Sequence, residues 1–435
     1  MKSVGEFLEQ CISMSAPLPP LDVALDGASG CILAEPVLAP ADIPGRTEAD
    51  GDGYAVLASD VAAACVGNPV ELAVTDAVAV TAVSGGVLVP GACVRVASGA
   101  PLPAGADAVV PLSGTDHGAA RVRILQAVAV GENVRQVGQD VRAGAELLPA
   151  GVRIGSRQVA LLAGAGYATV RVHPAPRGVI IAVGDELQEA GRRGHVGGVE
   201  RQGAVYDASS HALASALREA GAQVFRVGVV SDSKAVLREV IEDQLVRADI
   251  VITTGGLSYG GGDTVKEVLA SFGAHSEGGL ENIGSSGGAA LAAAVPVSSV
   301  RFDNVAIWPG RQFGVGTLAG VATVFCLPGN PMAALTAYEV FIRPALRTMA
   351  GYKHVHRPLI SVRLSADWEG DAELEEFVPV RVLGNPSDGY EAELLVDPGV
   401  TALSALAQAN GLAVVPVGQK RVPAGSAVNC VIIDR

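Results

Sequence analysis

Between residues 176 and 350, apolar runs of strand length alternate with helical segments, and this alternation restricts the fold more than any other property of the chain. The runs are Gly178 to Val183, Gln223 to Val230, Asp249 to Thr254 and Ala322 to Leu327. The helical segments are Asp207 to Gly221, Ser233 to Arg247, Asp263 to Gly273 and Pro331 to Ala350. Strands that are apolar on both sides leave no face for water, so they belong in a parallel sheet covered by helices on both faces. The spacing predicts a doubly wound, mostly parallel α/β domain. In such a sheet ligands gather outside the carboxyl ends of the strands, which makes the residues just after each strand the functional candidates.

The remaining sequence requires further units, because 435 residues exceed what one hydrophobic core accommodates. Val4, Leu8, Cys11 and Ile12 form the stripe of an amphipathic helix, and Leu21 to Pro40 reads as extended. Short β-branched runs (Val70 to Val83, Cys93 to Val96, Ala120 to Val130) separated by turns predict a β-rich insert. A helix over Ser156 to Gly166 precedes the proline-bearing boundary His173 to Pro176. Beyond Gly351 the helical patterns stop and five short strand candidates predict a small β domain. The expected division is 1–42 with 139–175 as an N-terminal linker domain, 43–138 as the inserted β-rich domain, 176–350 as the α/β domain and 355–435 as the C-terminal β domain.

Hydrophobic residues make up 49% and charged residues 17% of a chain whose net charge is −14. That charge argues against a sequence-independent grip on nucleic acid, which needs lysines and arginines to neutralise phosphates. An anionic ligand would have to be held by backbone N–H groups, helix N-termini, a few local arginines or a bound cation. No apolar run approaches the ~20 residues of a membrane span, and the acidic start resembles no secretory leader, so a cytoplasmic location is expected. Six dispersed cysteines without a C-x-x-C pair give no reason to expect structural zinc or a disulfide framework. Neither a G-x-S-x-G elbow nor a Walker loop nor H-E-x-x-H occurs, so nucleophilic catalysis has no support.

Four strand exits stand out. Gly184-Asp185-Glu186-Leu187 places two carboxylates at a strand tip, able to bind a divalent cation or orient a water; a solvated acidic turn is the plain alternative. Thr253-Thr254-Gly255-Gly256-Leu257-Ser258, continuing through Gly262 to Asp263, offers N–H groups and hydroxyls to an anion, or is an ordinary flexible loop. Asp263 reads either as a helix N-cap or as a functional carboxylate. In Leu327-Pro328-Gly329-Asn330-Pro331, Asn330 suits an N-cap and Pro331 the first helical position, while Gly329 between prolines predicts a rigid turn with free N–H groups. The fourth exit, Gly203 to Ser210, carries Asp207 as an expected N-cap and follows a Gly- and Arg-rich solvent loop.

The G-D-E-L, T-T-G-G-x-S-x-G-x-x-D and L-P-G-N-P segments together resemble the molybdopterin molybdenumtransferases, including gephyrin's corresponding domain. Asp42-Ile43-Pro44-Gly45, Asp52-Gly53-Tyr54-Ala55-Val56, Ser98-Gly99-Ala100-Pro101-Leu102-Pro103 and Asn133-Val134-Arg135 with Gly138-Gln139-Asp140 extend the resemblance over nearly the whole chain, in family order. The resemblance implies homodimers of four-part subunits, with active sites between the α/β domain of one subunit and the N-terminal parts of the other. It implies insertion of molybdate into adenylylated molybdopterin with Mg2+-dependent release of AMP. On matching positions, Asp52, Asp140 and Glu186 would handle metal, molybdate or the attacking water, with Ser98 in place of the usual threonine. Asp249 and Asp263 would flank the pterin or nucleotide end. Gly255, Gly256, Ser258, Arg311, Gly329 and Asn330 would contact substrate, and Pro328 and Pro331 would shape the pocket wall.

The chain departs from the family where charge matters. Glu48-Ala49-Asp50-Gly51 replaces N-S-A-M, Trp308-Pro309-Gly310-Arg311-Gln312 replaces K-P-G-K-P, and Gln139, Ser210 and Leu374-Glu375-Glu376 each remove a donor or add a negative charge. These changes raise an alternative, a catalytically eroded pterin- or nucleotide-binding scaffold protein. They also raise the possibility that the Trp308 indole stacks on a different flat substrate.

Overall fold

The computed structural model describes residues 1–83, 86–191, 195–196, 199–200, 205–257, 263–274 and 299–433. Its central element is a six-stranded sheet, whose strands we number β1 (Arg177–Val183), β2 (Gln223–Val230), β3 (Ile250–Thr254), β4 (Ser299–Asn304), β5 (Gln312–Leu318) and β6 (Ala322–Leu327). The strand order is β2-β1-β3-β6-β5-β4; the first four run parallel, and β5 and β4 are antiparallel. The four parallel strands are the expected ones. The antiparallel pair was not expected, because β4 alternates exposed and half-buried residues and β5 carries Gly314 and Gly316. Those glycines are steric requirements: a Cβ at Gly316 would overlap the Ser299 carbonyl, and one at Gly314 would strike the Phe302 ring.

Helices Ser209–Glu219, Lys234–Leu245 and Thr264–Ala274 cover the sheet. The expected long helix from Pro331 to Ala350 is three pieces, with a π turn over Tyr338–Ile342 between Pro331–Ala337 and Arg343–Met349. Pro344 explains the interruption, since it lacks an N–H and its ring crowds the carbonyl four residues back. One side of the sheet buries Ile180, Ile250, Ile252 and Phe325 against Leu213, Leu217 and Tyr338, and the other buries Val179, Ile181, Val251 and Val324 against Leu237, Ile241 and Val265. Strict alternation along β1 and β3 thus feeds two cores.

The N-terminal helix Val4–Ser13 was expected to belong with the linker unit. It packs instead on the α/β domain. Phe7 meets Phe341 edge-on at 4.9 Å and Phe313 at 5.9 Å, and Lys2 pairs with Asp303 of β4 at 2.7 Å. Its apolar stripe of Val4, Phe7 and Cys11 fits a face that the sheet's own helices leave uncovered.

The linker core joins distant segments: Leu33 and Val37 pack with Leu148, Ile154, Leu162 and Val172. Between those segments the inserted unit forms a five-stranded sheet, ordered Ala108–Pro111, Gly53–Val56, Ala92–Val96, Val70–Val78, Arg121–Ile124. The C-terminal strands close on themselves, because Glu375–Asn385 pairs with both Gly389–Leu394 and Gly411–Val415, making a small barrel around Trp368 and Val378. One helical turn, Leu403–Leu406, interrupts a region expected to hold only strands. Among the described residues no helix is long and apolar enough to cross a membrane.

Candidate active site

In this strand order the chain moves from β1 to one side to form β2 and to the other to form β3, so the crevice between β1 and β3 is the sheet's switch point. Three of the exits meet there. The Gly255 N–H donates to the Leu327 carbonyl at 3.1 Å, and a Cβ on Gly329 would lie 3.6 Å from Gly255 Cα. A Cβ on Gly255 would overlap the Val183 carbonyl, and its φ of +85° independently demands glycine. The backbones at residues 183, 255 and 329 therefore touch because two of them carry no side chain. The Ser209 hydroxyl ties this arrangement to its helix by donating to the Gly329 carbonyl at 3.0 Å.

Glu186 is exposed and folds over Gly184, where an added Cβ would lie 2.6 Å from Oε2. Next to it, the Asp185 N–H donates to Asp232 Oδ2 at 3.1 Å and the Asp232 N–H to Asp185 Oδ1 at 3.4 Å. Asp232 was not singled out in the sequence; its place after β2, in the exit of a parallel strand, was the available signal. Carboxylates held this way suit magnesium, which takes one or two of them together with water and substrate phosphate oxygens. No group of three or more His, Cys, Asp or Glu side chains forms a metal cage among the described residues. The donors present fit an oxygen-bound ion shared with substrate.

Thr253 and Thr254 are fully buried within β3 and do not reach this crevice as the expected donors. Ser258 lies outside the described residues, as do Gly203 and Ala204 of the fourth exit. Asp263 precedes the helix Thr264–Ala274 and bonds Lys266 Nζ through Oδ2 at 2.9 Å, while its buried Oδ1 has no partner among the described residues. The Gln312 amide, oriented by its neighbours, accepts from Lys266 Nζ at 2.6 Å and donates to the Leu257 carbonyl at 2.8 Å. Lys266 is thus a cation at the crevice that sequence reading passed over. Only its i, i+3 spacing from Asp263 marked it.

One position, Asp249, is not where sequence reading expected it. Asp249 sits at the amino end of β3, opposite the crevice, where its carboxylate accepts from the Arg177 backbone N–H at 2.8 Å and from Nη2 of its guanidinium at 2.8 Å. That pairing spends it on fastening β1 to β3. Asn330 is the N-cap, its Oδ1 accepting from Met332 and Ala333 N–H groups at 3.0 and 3.1 Å, with Pro331 in the first turn. Its Nδ2 reaches Thr401 of the barrel. Pro328 packs near Gly310 and Arg311 pairs with Asp371 at 3.1 Å.

The N-terminal candidates form a separate cluster. Asp52 Oδ1 accepts from the Ser98 N–H at 2.8 Å, and the Ser98 hydroxyl donates to the Asp50 carbonyl at 3.2 Å. Asp52 and Arg95 line a cavity of about 390 Å³. Arg95 is the one exposed side chain of the strand Ala92–Val96, a break in its apolar pattern that could have flagged it. Asp140 is exposed, its N–H fixed on the Ile43 carbonyl at 3.0 Å. Asp52, Asp140 and Glu186 are not gathered into one cluster within a single chain.

Two departures that added negative charge or lost a cation, Glu48 and Trp308, prove structural. Glu48 pairs with Arg135 at 3.1 Å, so it is already neutralised beside Asp52. Glu376 is buried and accepts from the Trp368 indole and the Asp371 N–H. Trp308 packs on the barrel with its ring 6.1 Å from Trp368, and the short strand Ile307–Trp308 pairs with residues 375–376. The Cys326 thiol beside the third exit is held at about 12 by burial and offers no nucleophile.

Family models match in the order of these units: the MoeA N-terminal region (domain I and II) over residues 2–166, a probable molybdopterin binding domain over 179–348, and the MoeA C-terminal region (domain IV) over 361–433. Molybdopterin molybdenumtransferase 1 of Mycobacterium tuberculosis is 36% identical, over 99% of this chain and 98% of its own. The chain belongs to the molybdopterin molybdenumtransferase family. Molybdopterin molybdenumtransferase 2 of the same organism is 34% identical, with 98% of each chain covered. The crystal structure of the molybdopterin biosynthesis moea protein from Pyrococcus horikosii superimposes with a TM-score of 0.77 at 26% identity, covering 100% of this chain and 99% of that one. In this molybdenumtransferase, then, the crevice between β1 and β3 lies inside the segment matching the molybdopterin binding domain, and Asp52, Ser98 and Asp140 lie in the N-terminal region.

Proposed function

We propose that this molybdenumtransferase acts in molybdenum cofactor biosynthesis by inserting molybdate into adenylylated molybdopterin with release of AMP, as a cytoplasmic homodimer. The observation that carries this reading is the meeting of three strand exits at the switch point, with the Glu186 carboxylate over the glycine floor. Backbone at Gly255 and Gly256 approaches the phosphoryl groups closely because no side chain intervenes. Asp263 Oδ1, buried and without a partner among the described residues, accepts an N–H from the flat ring of the ligand, and Lys266 fixes its other oxygen. Glu186 orients the attacking oxygen and, with Asp52 and Asp140 supplied by the second subunit, holds Mg2+. When bound, Mg2+ neutralises the charge that develops on the phosphoryl oxygens.

The scaffold alternative loses part of its motive where the added charge is already matched, as at Glu48. The test is AMP release from adenylyl-molybdopterin by the purified protein. Release should need both molybdate and Mg2+, and Glu186→Gln should lower its rate by roughly a hundredfold. No release above background at near-physiological molybdate would overturn the enzymatic reading.

A further inference from the structure

The opposite, amino edge of the sheet holds a concentration of positive charge that the reaction does not use. A cavity of about 610 Å³ opens where the linker unit, the α/β domain and the barrel meet, lined by Arg153, Arg343, Arg347, Lys353, His354 and Arg357. Among its lining residues Glu219 is the one carboxylate. Glu339 lies close by, but Arg357 already occupies both its oxygens, at 2.8 and 2.9 Å. Four cations besides the paired Arg357, facing one carboxylate in a chain of net charge −14, run against the composition.

Local structure brings these cations together. The helix Arg343–Met349 ends with the Gly351 N–H on the Thr348 carbonyl and the Tyr352 N–H on the Arg347 carbonyl, both at 3.0 Å, and with Gly351 at φ +78°. This paired closure turns the chain back over the last helical turn and satisfies its carbonyls, so they do not confront an incoming anion. Residues 352–354 therefore lie beside Arg343 and Arg347. The Arg347 guanidinium lies over the Tyr352 ring at 3.7 Å, and its Nε donates to the His354 carbonyl at 3.1 Å. The stem of Lys353 lies on Gly151 of the linker unit, where a Cβ would come within 2.6 Å of Cγ.

The cations are nevertheless under-matched. Arg153 and Lys353 have no hydrogen-bond or ion-pair partner among the described residues, and the guanidinium of Arg343 makes one long bond, 3.5 Å to the Val355 carbonyl. Burial, followed by the neighbouring arginines, holds the Arg343 guanidinium below its ordinary value. A structural ion-pair network would supply counter-charge, whereas crowded cations around an open cavity gain most from an anion that enters it.

We propose that this cavity is a second anion site, for a small ligand bearing two or more phosphate groups. The volume lies within the ~300–1,000 Å³ of small-molecule pockets. Glu219 offsets one of the four unpaired cations, and a single phosphate, with a charge of roughly −1.5 to −2, still leaves at least one of the others unmatched. The site is separate from the crevice: the two lie at opposite ends of strands such as β1, seven residues long, or about 23 Å at ~3.3 Å per residue. Its lining comes from three units, so an occupant fastens them to one another.

Inorganic pyrophosphate titrated calorimetrically into the full-length protein tests the assignment. Saturable binding at one per chain is expected, tighter than for inorganic phosphate and accompanied by a rise in Tm. The double variant Arg153→Gln/Lys353→Gln, altered at two exposed side chains, should keep its AMP-release activity yet bind pyrophosphate about tenfold more weakly or worse. Glu186→Gln should bind it unchanged. Absence of saturable binding, indifference to the double variant, loss in Glu186→Gln, or equal affinity for phosphate would each overturn the proposal. A change in oligomeric mass of the double variant with pyrophosphate binding intact would also overturn it, assigning the cations to a contact between copies.

Discussion

Arg226 donates to both oxygens of Glu189 at 2.9 and 2.7 Å and reaches Asp207 Oδ2 at 3.4 Å, while His211 approaches Glu189 from the other side. These half-buried charges fix the start of the helix Ser209–Glu219, whose Ser210 N–H is capped by Asp207 at 2.9 Å. Hydrogen bonds from Arg226 hold the Glu189 carboxyl below its usual range. A carboxyl depressed by folding contributes stability above its unfolded value of ~4.3 and loses that contribution as pH falls through the folded value. Glu189→Gln should therefore cost about 1–2 kcal/mol at neutral pH, with the gap to the parent protein closing below roughly pH 4, as read by urea unfolding. Little at this scale was legible beforehand. Glu48 looked like a repulsive neighbour of Asp52 because Arg135, its partner, is far along the chain, and Asp249 looked like a ligand because its pairing with Arg177 depends on strand register.

Elements were legible where an apolar pattern and a local signal agreed. In Asn330-Pro331, the side chain that caps, the ring that fits the first turn and the strand that precedes them are contiguous, so the element could be read directly. Asn330→Ala should lower stability by about 1 kcal/mol and Asn330→Asp much less, measured by chemical denaturation. Where the determinant is a neighbour distant in sequence, reading failed. The glycines of β5 weaken any strand signal, and only the approach of β4 explains them. The π turn at Tyr338–Ile342 likewise needs Pro344 weighed against helical continuity, and the apolar periodicity on either side conceals it.

At the scale of the molecule, the chain presents two half-sites, Glu186 with the glycine floor, and Asp52 with Ser98 and Arg95. If each working site combines halves from two subunits, Asp52→Asn and Glu186→Gln chains, inactive alone, should regain about a quarter of parental AMP release when refolded together in equal amounts. Half the dimers would be mixed, each with one intact site; no recovery would place both halves in one chain. The order of units could be read from the sequence, but how they dock could not, since docking rests on surfaces with no periodic signature. The N-terminal helix is the instructive case. Phe7 completes a ring cluster with Phe313 and Phe341, which lie more than three hundred residues away. A fragment cut at the apparent boundary near residue 176 would consequently be a domain with an open flank, prone to self-association. A usable minimal α/β piece is a graft, in which residues 1–14 are joined back to it or supplied as a peptide.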